Sequence, residues 1–594
     1  MTTERSDFMA NILLLEPAYK NKYPPLGLMK IAAFHKHVLH DKVFFSKGPI
    51  REGLTDITTW DKVYVTTLFT FEWKRSIEMI EYAKTLVPID KIVIGGIAST
   101  LMPYEYEKAI GIRPVTGLLN EPGKLGYPGD DTIDSITPDY TILDDIASYY
   151  HYPYENAYFM YSTRGCGMNC GFCAVKTLEP TYIPFISIKE QIRKINVTST
   201  SPKKDLLLMD NNVLKSCNFE EIINELIELG FGKNAVYTNP KTKKPQKRYI
   251  DFNQGLDAYL LTDAKAALLS QVAIKPARIA FDHIEDKEVY VKAIRTCARH
   301  NINTLSNYVL YNADAFSGKG HSYAADTPQD LYERLQLNVA LAQEINSQKA
   351  DTEEKISIFS FPMRYIPLDS KERGYISKKW NAKYLRAIQV ILIPTQGKVG
   401  TSASFFYTAF GKNLDEYMMI LDMPEHVISL RGKYKKNTSL SEEANANRFA
   451  QYQYNKKIVN EWISLYKNLT ATELNEFHSI IHKNKFTKDL IFNTNNPTII
   501  KLLLFYMPVS ELLKLFDYFD NHECRLHKEI VVDYCTYHFP AVLDRLLNYL
   551  LQIKSTSRFS FAFVKYVGID FINKLYDKAD DNSEILQKLK SLNL

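Results

Sequence analysis

Three cysteines stand close together in Tyr161-Ser-Thr-Arg-Gly-Cys166-Gly-Met-Asn-Cys170-Gly-Phe-Cys173-Ala-Val. Thiolates spaced this way converge on one metal centre if the backbone wraps around it, and Gly165, Gly167 and Gly171 give the backbone that freedom. Iron–sulfur clusters are held by cysteine thiolates, commonly four of them. Three ligands leave one iron of a four-iron cluster open to another molecule. Zinc would need a fourth ligand, and no histidine lies closer than His151.

Elements that must position these thiols are legible in the patterning. Over residues 1–145, the runs Asn11–Glu16, Lys42–Ser46, Lys62–Leu68 and Lys91–Gly95 read as strands, and Gly27–Val38 and Trp73–Leu86 as helices. Strands alternating with helices predict a Rossmann-like α/β domain with a parallel sheet. Residues 146–368 repeat the alternation. Strands are expected at Tyr158–Thr163, Asp205–Asp210, Tyr249–Gln254, Ala277–Asp282, Asn303–Leu310 and Lys355–Phe361, which predicts a (β/α)6 partial TIM-type barrel. Residues 369–440 read as an irregular connecting segment carrying Pro394, Gly397, Gly400 and Gly411. Residues 441–594 read as a mostly α-helical domain, with helices at Asn455–Lys467, Ala471–His482, Thr498–Phe505, Ser510–Phe519 and Leu586–Leu592.

Cys-x3-Cys-x-aromatic-Cys at the end of the first barrel strand, preceded by Thr-Arg-Gly, resembles the radical S-adenosylmethionine (SAM) superfamily. The resemblance covers residues 146–368. It implies that Cys166, Cys170 and Cys173 hold a 4Fe–4S cluster whose open iron takes the amino and carboxylate groups of SAM. Reductive cleavage would give methionine and a 5′-deoxyadenosyl radical that abstracts a substrate hydrogen. The resemblance also implies an electron donor such as a flavodoxin or ferredoxin. Phe172 is expected beside adenine. Chemistry in parallel barrels sits at the carboxyl ends of the strands, which here carry Asp210 and Asn211, Gln254, Asp282 and His283, Asn307, and Arg364. Of these, Asp210, Asn211, Gln254, Asp282, Asn307 and Arg364 are the expected SAM contacts. The family's Gly-Gly-Glu is replaced by Met209-Asp210-Asn211-Asn212.

A Rossmann-like domain ahead of such a barrel resembles the cobalamin-binding members. Pro24-Pro25-Leu26-Gly27-Leu28 is typical of them, and Gly95, Gly96 and Ser99 would admit the nucleotide tail. Against this, the domain has no Asp-x-His-x-x-Gly, and Tyr19, Tyr23, Phe69, Phe71 and Trp73 are bulky enough to fill the crevice. Two readings stay open, a cobalamin site and a scaffold. His35, His37 and His40 read as ordinary surface and core residues.

Other constellations are weaker. Cys524-x2-His527-x7-Cys535-x2-His538 has zinc-capable ligands but reads as scattered helix residues. The basic run Lys241–Arg248 reads as a solvated loop, on the face opposite the cluster. Asn312–Thr327, with His321 and Tyr323, follows the fifth strand on the active face, as a lid over substrate or a surface insertion. Cys217 and Cys297 read as packing residues.

Composition narrows the function. The chain has 594 residues, 45% hydrophobic and 24% charged, too long for one domain and too apolar for disorder. Its seven cysteines are too few for a disulfide scaffold. Net charge is +5, and 441–594 carries 19 Lys/Arg against 18 Asp/Glu, so neither gives a nucleic-acid signal. No signal peptide or run of about 20 apolar residues is apparent, and a cytoplasmic enzyme without membrane partners is expected. The leading expectation is a radical SAM enzyme acting on an unreactive C–H position of an unidentified substrate. Its alternatives are a cobalamin-dependent radical methylase, radical modification of RNA or DNA, and a non-catalytic iron–sulfur binding or regulatory module.

Overall fold

The computed structural model describes residues 9–51, 57, 59–198, 202–318, 321–508 and most of 511–538. The chain forms two compact units, one of residues 1–379 with 398–402 and one of residues 380–397 with 403–594.

The first unit begins with β1 (Asn11–Glu16), α1 (Leu26–His37), β2 (Lys42–Lys47), β3 (Lys62–Thr67), α2 (Trp73–Leu86) and β4 (Ile92–Gly96), then α3 (Ile97–Leu101) and α4 (Pro103–Ile110). The strands form a parallel sheet in the order β2-β1-β3-β4. Side chains alternate across a strand, and β1 is apolar on both faces. Leu13 and Leu15 pack with Met79, Ile80 and Ile94, whereas Ile12 and Leu14 pack with Met29 and Phe34. Strand order reverses beside β1, so the crevice where such sheets take ligands lies at the carboxyl ends of β1 and β3. No helix joins β2 to β3 among the described residues.

Next come β5 (Ala157–Met160), α5 (Val175–Leu178), α6 (Lys189–Thr198), β6 (Asp205–Leu208) and α7 (Phe219–Leu226). An antiparallel hairpin, β7 (Val236–Thr238) and β8 (Pro245–Lys247), precedes β9 (Ile250–Phe252) and α8 (Asp263–Leu269). Then follow β10 (Ala277–Arg278), α9 (Lys287–Arg299), β11 (Thr304–Tyr311), the pair β12 (Phe316–Gly318) and β13 (His321–Tyr323), α10 (Pro328–Ser347) and β14 (Ser357–Arg364). Two parallel sheets result, β5-β6-β9 and β10-β11-β14. Parallel bridges Ile250–Ile274 and Leu256–Ile279 join them, so six strands follow one another in sequence order. Every strand expected from the patterning is present, with no end moved by more than four residues.

This run shares an apolar core with the N-terminal sheet: Leu14, Phe34 and Phe45 belong to the same cluster as Phe159, Leu207 and Phe252. Tyr23 spans the two, donating no ladder bond but receiving the Asn253 side-chain amide on its hydroxyl at 2.9 Å and stacking on Tyr154. The basic run Lys241–Arg248 lies in and beside the exposed β7–β8 hairpin. It enters β9 from the amino end, opposite the end at which the cysteines leave β5.

The second unit comprises α11 (Ala382–Leu392), α12 (Ala403–Phe410), α13 (Leu414–Asp422), α14 (Glu425–Leu430), α15 (Glu442–Lys467), α16 (Ala471–Ile481), α17 (Pro497–Leu504) and α18 (Arg525–His538). The segment 369–440, read as irregular, carries four short helices between Ala382 and Leu430, with residues 396–402 and 431–440 non-helical. Its glycines and prolines punctuate short helices rather than forbid them. Side-chain caps start these helices: Asn381, Asn413, Ser441 and Asn496 each accept from a first-turn N–H, and Thr470 and Glu473 form a capping box. α15 begins thirteen residues before the expected Asn455, because its first half carries isolated alanines and aromatics rather than a continuous apolar stripe. The expected helix Ser510–Phe519 lies partly, and Leu586–Leu592 wholly, outside the described residues. No described helix is long and apolar enough to cross a membrane.

Gly96 closes β4 at φ +109°, and a Cβ there would stand 2.3 Å from the Thr67 carbonyl oxygen and 2.8 Å from its nitrogen. A Cβ on Gly27, in the first turn of α1, would meet nothing within 4 Å. Gly96→Ala should cost about 2–3 kcal/mol in urea unfolding, while Gly27→Ala should gain about 0.5–1 kcal/mol. Equal effects at the two positions would refute the close-approach account.

Candidate functional site

The cysteine loop leaves β5 at Tyr161 and is closed at its base by backbone pairing. Arg164 and Ile183 exchange two bonds of 3.0 Å, and the Ile186 N–H donates to the Ser162 carbonyl at 2.8 Å. Between these points no sheet takes up the loop's polar groups. Two buried carboxylates do so instead. Asp210, just past β6, accepts on Oδ1 from the Ser162 N–H and hydroxyl, both at 2.9 Å, and from the Thr163 N–H and hydroxyl. Its Oδ2 is buried without a partner, and desolvation pushes the carboxyl up to about 6 against the lowering by Thr163 and Ser162.

Glu179, just past α5, ties the far end of the loop to the near end. It accepts from Arg164 Nη1, the Gly165 N–H and the Asn211 amide, each at 2.8 Å. Arg164 is buried, pairs also with Asp134 and lies over the Tyr161 ring. Gly165 sits at φ +72°, and a Cβ there would stand 2.6 Å from the Thr181 carbonyl oxygen. Neither Arg164 nor Glu179 was expected as a site residue. The Thr-Arg-Gly before Cys166 was the available signal, but the paired acid is remote and anonymous in sequence.

Within this clasp the thiols are half-buried. Cys166 Sγ accepts from the Met168 N–H at 3.4 Å and from the Asn212 amide at 3.7 Å. Asn212 also donates to Asp257 at 2.9 Å, and its Oδ1 is buried with no hydrogen-bond partner. Burial, then Cys173, Asp282, Cys166 and Asp257, push the Cys170 thiol up to about 12. Cys173 is raised by burial, with Cys166 and Asp282 adding to it. Cys170 and Cys173, desolvated and close to other negative groups, favour the protonated form unless a cation sits beside them. Three soft donors with N–H groups aimed at one sulfur fit an iron–sulfur cluster, whose sulfurs take such hydrogen bonds.

The segment Asn312–Thr327 covers this loop as a hairpin. Phe316 packs where a Cβ on Gly171 would be, 2.3 Å from its ring. Tyr323 stacks on His283 at 3.5 Å between ring centroids, and Phe172 lies 5.7 Å from His283. The hairpin's stem is pinned: Asp326 accepts from the Asn312 N–H at 2.9 Å and pairs with the fully buried Arg334. The side chain of His321 lies outside the described residues.

The strand-end residues separate into two groups. Asp282 acts electrostatically on Cys170 and Cys173, and Phe172 and His283 lie together beside them. Burial lifts the Asp282 carboxyl to about 7, with Arg334 opposing and Asp286 reinforcing. Asp210 and Asn211 serve the loop's backbone and its clasp. Asn307 faces the helix layer instead: its amide donates to Tyr290 of α9 at 2.9 Å, whose hydroxyl continues to Asn338 of α10. Arg364 donates to the Tyr375 carbonyl at 2.6 Å, and Gln254 is exposed, bonded to Asn253.

At the N-terminal sheet the crevice is packed. Glu16 and Lys47 form a buried ion pair of 2.7 Å capped by Tyr150 and Tyr152, and Tyr19, buried, bonds Ser76 at 2.5 Å. The space a side chain would take on Gly96 is filled by Thr67, whose hydroxyl accepts from the Ser99 N–H at 3.0 Å. Gly95, Gly96 and Ser99 are thus used in β3–β4 and α3 packing. Ser99 is buried, Gly95 half-buried and Gly96 exposed. His35 is buried between Asp41 and Tyr64, at 2.7 and 2.9 Å.

The remaining cysteines take other places. Cys297 is buried in α9, whereas Cys217, read as a packing residue, is exposed. His527 bonds the Thr494 carbonyl and His538 bonds Glu461, at 2.9 and 3.0 Å. Eleven residues apart on one helix, about 16 Å, they do not share an ion. The side chain of Cys535 lies outside the described residues.

No protein-family model and no curated protein matches the chain. Among solved structures it is similar to a radical S-adenosylmethionine methyltransferase, TsrM, from Kitasatospora setae, solved with tryptophan substrate and the SAM analogue aza-SAM bound. The likeness covers 56% of this chain and 71% of that one, at 15% identity and a TM-score of 0.40. At that distance it carries no argument, and the chemistry rests on the residues above.

Two outcomes test the clasp. Glu179→Ala should lower iron affinity roughly 10–100-fold although all three cysteines remain, read as iron and sulfide per chain at limiting iron; full occupancy would sink it. Asp210 is raised from an ordinary 3.8 to about 6, so the native state binds the proton more tightly than the unfolded chain. Its contribution is full below about pH 4 and declines as pH rises to about 6. The stability of the parent relative to Asp210→Asn, from urea unfolding, should therefore fall across that window and level off above it.

Proposed function

We propose that this chain is a radical SAM enzyme, with Cys166, Cys170 and Cys173 as ligands of a 4Fe–4S cluster. The observation that supports this most is the cysteine loop: three half-buried thiols, two N–H donors on one sulfur, and a buried carboxylate clasp. On this reading the six sequential parallel strands curve as a partial (β/α)6 barrel, and the loop caps the carboxyl end of its first strand. When bound, the cluster supplies one-electron cleavage of the SAM sulfonium bond to methionine and a 5′-deoxyadenosyl radical.

The chain's own residues do the positioning. Asn212 Oδ1, buried and unbonded beside Cys166, is the acceptor for the SAM amino group, with Asp257 adding negative charge. Phe172 and His283 form the aromatic wall for adenine, and Asp282 receives ribose hydroxyls. Phe316 and Tyr323 keep water off the loop from the hairpin side, which a reactive radical requires. An external one-electron donor, such as a flavodoxin or ferredoxin, completes the reaction.

The N-terminal sheet acts here as a scaffold, since its crevice is occupied by Tyr19, Ser76 and the Glu16–Lys47 pair. No methyl transfer through cobalamin is derived. The basic hairpin at the opposite end of the sheet gives no support to a nucleic-acid substrate.

After anaerobic reconstitution, the parent with SAM and dithionite should form 5′-deoxyadenosine, and Cys170→Ala should lose it to background by mass spectrometry. No product from a fully reconstituted parent would leave the non-catalytic reading standing. Incubated with hydroxocobalamin and gel-filtered, the parent should retain no corrinoid absorbance; a retained band would restore the methylase reading.

A further inference from the structure

The helical unit buries a carboxylate that the cysteine chemistry leaves without a task. Asp422 ends α13, and its side chain is 1% exposed. An acid at a helix C-terminus faces the negative end of the macrodipole, so burial there is unfavourable twice over. Lys383 of α11 answers the backbone rather than the carboxylate. Its Nζ donates to the carbonyls of Leu421 and Met423, at 2.7 and 2.6 Å. Oδ2 accepts from the Tyr466 hydroxyl at 2.7 Å and lies 2.8 Å from His478 Nε2, and Tyr384 also faces the carboxylate. Oδ1 has no hydrogen-bond partner.

His482 faces that oxygen. Its Nε2, a buried atom that also lacks a hydrogen-bond partner, stands 3.9 Å from Asp422 Oδ1. That is too long for a hydrogen bond. His478 and His482 are one turn apart on α16 and its C-cap, so their imidazoles issue from one face and stack at 4.8 Å between centroids. The three ligand atoms all lie within 4.8 Å of one another. Tetrahedral zinc, with bonds of about 2.0–2.2 Å, holds its ligand atoms about 3.3 Å apart. The carboxylate reaches both imidazoles near that spacing, Oδ2 at 2.8 Å from His478 Nε2 and Oδ1 at 3.9 Å from His482 Nε2, and small side-chain rotations bring one oxygen into range of both.

We propose that Asp422, His478 and His482 form a binding site for a divalent transition-metal ion of the zinc class, with water in the fourth position. One oxygen and two imidazole nitrogens suit such an ion. Tyr466 orients the carboxylate from behind, as outer-shell partners of metal ligands do. The ion enters past the histidines, whose side chains are 23% and 31% exposed. This site is independent of the cysteine loop.

The test uses the full-length chain without an affinity tag, with Cys166, Cys170 and Cys173 each changed to alanine so that their thiols do not compete. Equilibrated with Zn²⁺ and desalted, it should retain about one ion per chain. Co²⁺ in its place should give visible bands without thiolate charge-transfer absorbance. Adding His482→Ala should weaken zinc binding at least about 10-fold and abolish the rise in Tm that zinc gives the parent. His482→Gln, which keeps bulk and polarity, should behave alike and guards against misfolding of the alanine variant. Absence of retained zinc, or zinc content indifferent to both His482 variants, would overturn the proposal.

Discussion

The cysteine loop has no ladder of its own, yet its backbone donors lie where water does not reach. Asp210 and Glu179 meet that constraint. One carboxylate takes the two N–H groups and two hydroxyls that follow β5; the other joins Gly165 and Arg164 to the loop's far end. A buried carboxylate is tolerable only when its lone pairs are well used, and removing a partner is then costly. Arg164 shares the arrangement, since its charge is balanced by Glu179 and Asp134. The loop's backbone donors are satisfied in this way, while Asp210 Oδ2 and Asn212 Oδ1 beside it stay unbonded.

The same logic runs outward. Arg334, wholly buried, donates to strand-end carbonyls at Phe281 and Asp282 and pairs with Asp326, so one side chain fixes both a strand end and the hairpin stem. Phe316 and Tyr323 are thereby delivered onto the glycines and aromatic residue of the cysteine loop. Packing in the N-terminal sheet follows a different rule. An ion pair, Glu16–Lys47, and the tyrosines Tyr19, Tyr150 and Tyr152 pack at the carboxyl end of its strands.

Much of this was legible in sequence. All ten strands expected in the first unit formed, because apolar runs bounded by turn residues leave few alternatives to a buried parallel strand. The helices within 369–440 are short and separated by glycines and prolines, so no periodic stretch long enough to read as a helix appears there. Asn307 was read as a strand-end ligand, yet it turns to the helix layer to satisfy Tyr290. Strand polarity shows that such a residue is buried, not which layer claims its hydrogen bond. Glu179 escaped notice because nothing local distinguishes one glutamate from another.

The sequence by itself determined the thiol spacing, the glycines that let the loop turn, and the alternation that makes parallel strands. These are short-range properties, set by adjacent residues and by periods of two and 3.6. Only the tertiary structure decided which carboxylates hold the loop, that a hairpin covers it, and that the N-terminal crevice is filled. It alone brought Asp422 to His478 and His482, more than fifty residues apart in the chain. Such pairings depend on which buried polar atoms are left over once every element has packed, and no window of sequence carries that sum.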